Sequence, residues 1–212
     1  MLDPSLYALF VGAALVLLLT PGPAVLYIVA RSIHQGRSAG LVSALGIGVG
    51  TLCHVAAAVF GLSALLMSSP IAFQCVRLMG TVYLIYLGIA KLRSQEDANE
   101  GQEIEPETLP AIFRHGIVVN LLNPKTTLFI FAFLPQFVRI ERGSVATQIL
   151  LLGITLVVLG AITDGSYALL AGWLGDLLRG NRRFARAQRY VAGSVYIVLG
   201  LLTALVGTVR IG

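Results

Sequence analysis

With 212 residues, 57% apolar side chains, 12% charged ones and a mean hydropathy of +0.86, the chain is too apolar for a soluble domain that covers its surface with charge. A membrane span takes about 20 apolar residues, so this length holds at most six or seven spans with short loops and no sizeable soluble domain. The net charge of +5 would suit nucleic acid, but the arginines sit in short connections between apolar stretches, as topology determinants do, and nucleic-acid binding is excluded.

The N-terminus, Met1-Leu2-Asp3-Pro4, has no basic region, and the apolar stretch after it is too long for a cleavable leader, so the first segment is expected to remain as a span. Span one runs uncharged from Pro4 to Ala30, interrupted by Thr20-Pro21-Gly22-Pro23, and is closed by Arg31, His34 and Arg37. The run from Ser38 to Val76 is too long for one helix, and Ser68-Ser69-Pro70 supplies a turn. That turn separates span two, about 39 to 67, from span three, which tolerates a snorkelling Arg77 near its start and ends near Ala90. Span four is expected from about Phe113 to Val138 with Lys125 inside it, span five from about Val145 to Trp173 with Asp164 inside it, and span six from Tyr190 to Val209. The acidic stretch Leu92 to Pro110 reads as a linker.

Lysines and arginines in alternate connections set the orientation. Arg31, Arg37, Lys91, Arg93, Arg114, Arg179, Arg182, Arg183, Arg186 and Arg189 fall on one side; Arg139, Arg142, Arg210 and Arg77 fall on the other. The positive-inside rule puts the richer side in the cytoplasm and both termini outside, which in a bacterium is the periplasm. The cluster from Arg179 to Arg189 could hold anionic lipid headgroups, but it reads more simply as an orientation signal and is assigned no site.

The chain also resembles itself. Gly80-Thr81-Val82-Tyr83 in span three matches Gly193-Ser194-Val195-Tyr196 in span six, each followed by a Leu-Gly pair. Span one is broken at Thr20-Pro21-Gly22-Pro23 and span four at Asn123-Pro124-Lys125, a polar residue followed by proline in each. The fold expected is therefore all-α and integral to the membrane, with six transmembrane helices forming two inverted three-helix repeats. In this single transporter domain, repeat 1 covers about 1–91, the cytoplasmic linker about 92–110 and repeat 2 about 111–212.

Proline inside a helix leaves carbonyls unpaired before the break and N–H groups unpaired after it, and hydrocarbon tolerates these only where they face protein, ligand or water. A proline kink alone would look the same, but the pairing of the breaks and the mid-span Lys125 favour a site. Thr20, Pro21, Gly22, Pro23, Asn123, Pro124 and Lys125 are the candidate substrate-binding residues, a positive locus suited to a carboxylate. Asp164, the sole carboxylate inside a predicted span, could neutralise Lys125 in a structural pair, receive a substrate ammonium or carry a proton. His54 is a weaker proton-coupling candidate, because a lone histidine among small apolar residues is more often packing. The span-two glycines, including Gly46 and Gly50 at GxxxG spacing, suit close helix packing and are compatible with a homodimer without requiring one. Cys53 and Cys75 lie in different apolar segments, give no metal or dithiol signature and read as packing residues.

These residues resemble the lysine exporter superfamily, in particular the LysE/RhtB type of amino-acid exporter. The resemblance covers nearly the whole chain and is carried by Thr20-Pro21-Gly22-Pro23, Gly36-Arg37-Ser38-Ala39-Gly40, Gly80 through Gly88, and Asn120-Leu121-Leu122-Asn123-Pro124-Lys125 through Leu134-Pro135-Gln136-Phe137. It implies an exporter in the bacterial inner membrane that moves small amino acids such as homoserine or threonine outward in exchange for protons, with no cofactor and no enzymatic activity. Members often carry Asn or Asp after Thr-Pro-Gly-Pro where this chain has Ala24, which bears on the substrate and not on the fold. Two other readings compete. A metal-cation exporter of the same superfamily would have few ligands and an opposing Lys125, and a membrane-embedded enzyme or thiol-electron carrier would need paired cysteines, HExxH or two intramembrane carboxylates.

Overall fold

The computed structural model describes residues 2–69 and 106–173, with Ile71, Cys75, Leu78 and Val82 between them. Spans three and six, the Gly-Thr-Val-Tyr and Gly-Ser-Val-Tyr match, most of the linker and the Arg179 to Arg189 cluster lie outside the described residues. The described residues are all-helical, without strands: α1 (Pro4–Leu19), α2 (Pro23–Gln35), α3 (Arg37–Ser68), α4 (Leu109–Leu121), α5 (Pro124–Leu128) and α6 (Val145–Trp173). α5 runs on through a π-helical turn, Phe129–Phe133, and a 3-10 turn, Leu134–Phe137.

Each boundary has a local cause. Asp3 caps α1 by accepting the N–H groups of Ser5 (3.0 Å) and Leu6 (3.3 Å). The bond from Leu6, with that from Ser5 and the nearby Arg142 and Arg139, holds the Asp3 carboxyl below its ordinary value. α2 ends at Gly36, whose φ of +86° suits glycine and lets the chain reverse at once into α3. α3 stops at Ser68, where the Ser-Ser-Pro turn is predicted. α4 begins at Leu109 behind Thr108 as N-cap and with Pro110 in its first turn, so it starts four residues before the predicted Phe113.

α6 has 29 residues and is about 43 Å long at ~1.5 Å per residue, enough to cross a bilayer. It is apolar all round: Ile149, Leu152 and Leu156 are buried, while Leu151, Ile154, Val158, Ile162 and Leu170 are exposed. α3 qualifies over Arg37–Leu62. α1 with α2, bent by 49°, and α4 with Pro124–Phe137, bent by 50°, each pass the same test of length and composition as one broken span, giving up to four spans among the described residues. A surface this rich in exposed leucine, isoleucine and valine suits lipid.

α3 packs against α4 and α6. Its approach to α4 is backbone to backbone: side chains at Gly46 or Gly116 would collide with the facing main chain, and one at Gly50 would meet the Asn120 Cβ at 2.9 Å. Gly48 and Gly61 have open space instead, so the predicted packing role divides among the glycines. Cys53 and Cys75 are exposed rather than packed between helices.

Toward one end of the described helices the packing is aromatic. Phe10 of α1 lies 5.8 Å from Phe129 and 5.3 Å from Phe137, and Phe129, Phe133 and Phe137 follow one another at 4.8 and 4.9 Å. The other end is held by polar contacts. Glu107, at the end of the linker, pairs with Arg31 and with His115 (2.7 Å), while the Gln35 amide exchanges hydrogen bonds with the Glu107 backbone at 2.8 and 3.2 Å.

Candidate functional site

Both breaks are built by the same backbone rule. A residue before proline is pushed out of the α region, and Thr20 (ψ 119°) and Asn123 (ψ 108°) are both extended. Each helix restarts on a proline at its first position, Pro23 in α2 and Pro124 in α5, where a missing N–H costs nothing.

The restarts differ in how their first N–H groups are satisfied. In α5 the Asn123 side chain accepts the Lys125 N–H at 3.0 Å. In α2 no side chain caps the start; Gly22 is extended, and the first intrahelical bond runs from the Leu26 N–H to the Gly22 carbonyl. The N–H groups of Ala24 and Val25 are thus left at the positive end of a helix that borders a cavity.

Lys125 joins the two breaks. It is 7% exposed, its stem runs against Gly22, and its ammonium donates to the Thr20 carbonyl oxygen, an acceptor left without an intrahelical partner where α1 stops. A Cβ at Gly22 would stand 3.0 Å from the Lys125 Cδ. An ammonium has three donors and Thr20 takes one; no other acceptor engages it among the described residues. Holding this charge at mid-span costs at least about 2.5 kcal/mol unless something compensates it.

Asp164 of α6 is also 7% exposed and borders the same cavity, yet no hydrogen bond or ion pair engages its carboxyl among the described residues. Lys125 borders that cavity too, and no ion pair joins the two side chains. A direct Lys125 to Asp164 pair is therefore not the arrangement found. The cavity has a volume of about 50 Å³, room for water, and Leu17, Val25, Ile47, Phe129 and Leu156 form its apolar wall.

The remaining candidates fall into place around it. Pro21, Pro23 and Pro124 shape the backbone, and Pro23 and Pro124 are exposed. The Thr20 hydroxyl turns back to the Val16 carbonyl (2.7 Å), so Thr20 contributes its carbonyl. His54 does not border the cavity: its Nε2 lies 3.2 Å from the Asn120 carbonyl oxygen and its ring meets Phe131 edge-on.

Sequence reasoning missed Asn120, Thr51 and Thr126, all of which border the cavity. Asn120 Nδ2 donates to the Ile47 carbonyl (2.7 Å) and to Thr51 Oγ1 (2.8 Å), and Asn120 Oδ1 accepts from Thr126 Oγ1 (2.8 Å). The available signal was a second asparagine three residues before the break, in an otherwise apolar segment.

The arrangement can bind a group of each charge. Two ammonium hydrogens and two backbone N–H groups suit a carboxylate, and an unengaged carboxyl nearby suits an ammonium.

Comparison with known proteins places this geometry in context. The family described as LysE type translocator matches residues 15–207. The chain is 30% identical to a protein of Vibrio cholerae described as an uncharacterized membrane protein, over 96% of this chain and 98% of the relative. It is 31% identical to a homoserine/homoserine lactone efflux protein of Salmonella typhi, over 88% of this chain and 89% of the relative. It is 25% identical to a leucine efflux protein of Salmonella choleraesuis, over 90% and 91%. No solved structure matches it.

Proposed function

We propose that this chain, which belongs to the LysE type translocator family, exports an amino acid or a close derivative across the bacterial inner membrane in exchange for protons. The observation that carries this reading is the meeting of the two helix breaks at Lys125, beside the unengaged Asp164. In it, Lys125 and the N–H groups that open α2 receive the substrate carboxylate. Asp164 takes the substrate ammonium and, when the site is empty, a proton from the far side. One carboxyl alternating between these partners links export of substrate to entry of protons.

The relatives named for homoserine, homoserine lactone and leucine efflux support an amino-acid cargo. The paired bends of 49° and 50° support two inverted repeats, 1–91 and 111–212, joined by the linker 92–110. With both termini in the periplasm, the Arg31 to Glu107 contact lies at the cytoplasmic end and the phenylalanine stack at the periplasmic end. A metal-cation exporter is the weaker reading, since Lys125 shares the cavity with Asp164 and opposes a cation.

Export from cells producing the protein tests the proposal. Cells are loaded with dipeptides and each free amino acid outside is followed, with and without a protonophore. Selective efflux that collapses with the protonophore is expected; efflux no greater than from cells with an empty vector, despite confirmed insertion, would overturn it.

A further inference from the structure

The wall of the cavity formed by Thr51 and Thr126 is chemically one-sided, and the reason is Asn120. This side chain is 1% exposed, so its polar atoms must find partners inside the protein. Its amide nitrogen spends both hydrogens, on the Ile47 carbonyl and on Thr51 Oγ1, which fixes the orientation of the amide. Asn120 Oδ1 then needs a donor, and the one it has among the described residues is the Thr126 hydroxyl. That contact crosses the helix break, joining residues six apart in sequence.

The Thr126 proton is therefore committed, because turning it elsewhere leaves a buried acceptor unpaired. The Thr51 proton is committed too: Thr51 Oγ1 receives the Asn120 amide and donates to the Ile47 carbonyl at 3.2 Å. Both threonines border the cavity, and both hydroxyls have lone pairs left to offer but no hydrogen. Such a wall attracts a donor and disfavours a bare acceptor. A substrate ammonium is a donor as well, but the Asp164 carboxyl is the stronger acceptor for it.

We infer that Thr126 and Thr51, held as acceptors by Asn120, are specificity-determining residues that read a side-chain hydroxyl on the substrate, with Asn120 as their positioning residue. This rests on the amino-acid reading above and adds the class of side chain. The apolar remainder of the wall, Leu17, Val25, Ile47 and Leu156, fits the methylenes that carry such a hydroxyl.

The test uses the full-length protein in proteoliposomes and two probes, homoserine and 2-aminobutyrate, which differ by that hydroxyl alone. One well-placed hydrogen bond is worth about tenfold, so wild type is expected to exchange homoserine about ten times better than 2-aminobutyrate. Thr126→Val should bring that ratio close to one, and Thr126→Ser, which keeps the hydroxyl, should restore it. Equal exchange of the two probes by wild type would overturn the inference while leaving amino-acid export intact. So would a Thr126→Val protein that keeps the tenfold ratio or loses both probes in proportion. Failure of wild type to exchange any amino acid would overturn the underlying reading as well.

Discussion

The Lys125 ammonium donates to the carbonyl oxygen of Thr20, a contact between residues 105 positions apart that brings the two helix breaks together. α1 stops at the break, so the Thr20 carbonyl has no intrahelical donor, and the lysine from the other break supplies one. A buried cation and an orphaned acceptor thus each reduce what the other costs, and among the described residues two ammonium hydrogens have no other partner.

Replacing Lys125 should remove export without preventing insertion. Lys125→Met keeps the length and apolar stem of the side chain but neither charge nor donors, and amino-acid efflux is expected to fall at least a hundredfold while the amount of protein in the membrane stays near wild type. Efflux assays with immunoblots of the membrane fraction read both quantities, and normal efflux would remove Lys125 from the site.

Asp164→Asn separates coupling from movement. If the carboxyl carries the proton, the variant should no longer accumulate substrate against its gradient when a pH difference is imposed on proteoliposomes. Exchange of labelled for unlabelled substrate, which needs no net proton movement, should persist at a measurable rate. Undiminished uphill transport would assign coupling elsewhere.

Gly22 tests the contact geometry. A methyl group there meets Lys125 Cδ at 3.0 Å, so Gly22→Ala should displace the ammonium from its place and lower transport by roughly tenfold, with a small effect on stability because the neighbour is a flexible side chain. Gly116→Leu, facing the α3 backbone, should instead cut the amount of folded protein. Transport and fluorescence-detected size exclusion in detergent distinguish the two failures.

Asn123 acts through the backbone. Asn123→Ala removes the cap on the Lys125 N–H, which costs about 1 kcal/mol and should lower the melting temperature of the purified protein by roughly 2–4 °C. An unchanged melting temperature would show that the break is held by its prolines alone.

Much of this was legible in the sequence. Proline and the absence of charge act locally, and they place both breaks and the start of α6 where the structure has them. What pairs across the fold was not legible. Thr51, Asn120 and Thr126 come from three helices, and each is an ordinary polar residue on its own. Glu107 read as one of several acids in a linker, yet it clasps Arg31, Gln35 and His115. The start of α4 was placed late: Arg114 was counted with the connection after span three, whereas it is exposed on a helix that has already begun.

The contact at Thr20 is made by the main chain, and a main-chain oxygen is the same whatever side chain the codon specifies. Saturation mutagenesis would therefore report position 20, which is buried, as permissive toward small residues that keep the extended conformation, and would record the sensitivity one and two residues later, at Pro21 and Gly22, which fix where that oxygen points. The residue that holds the lysine would then be one whose own side chain the contact does not use.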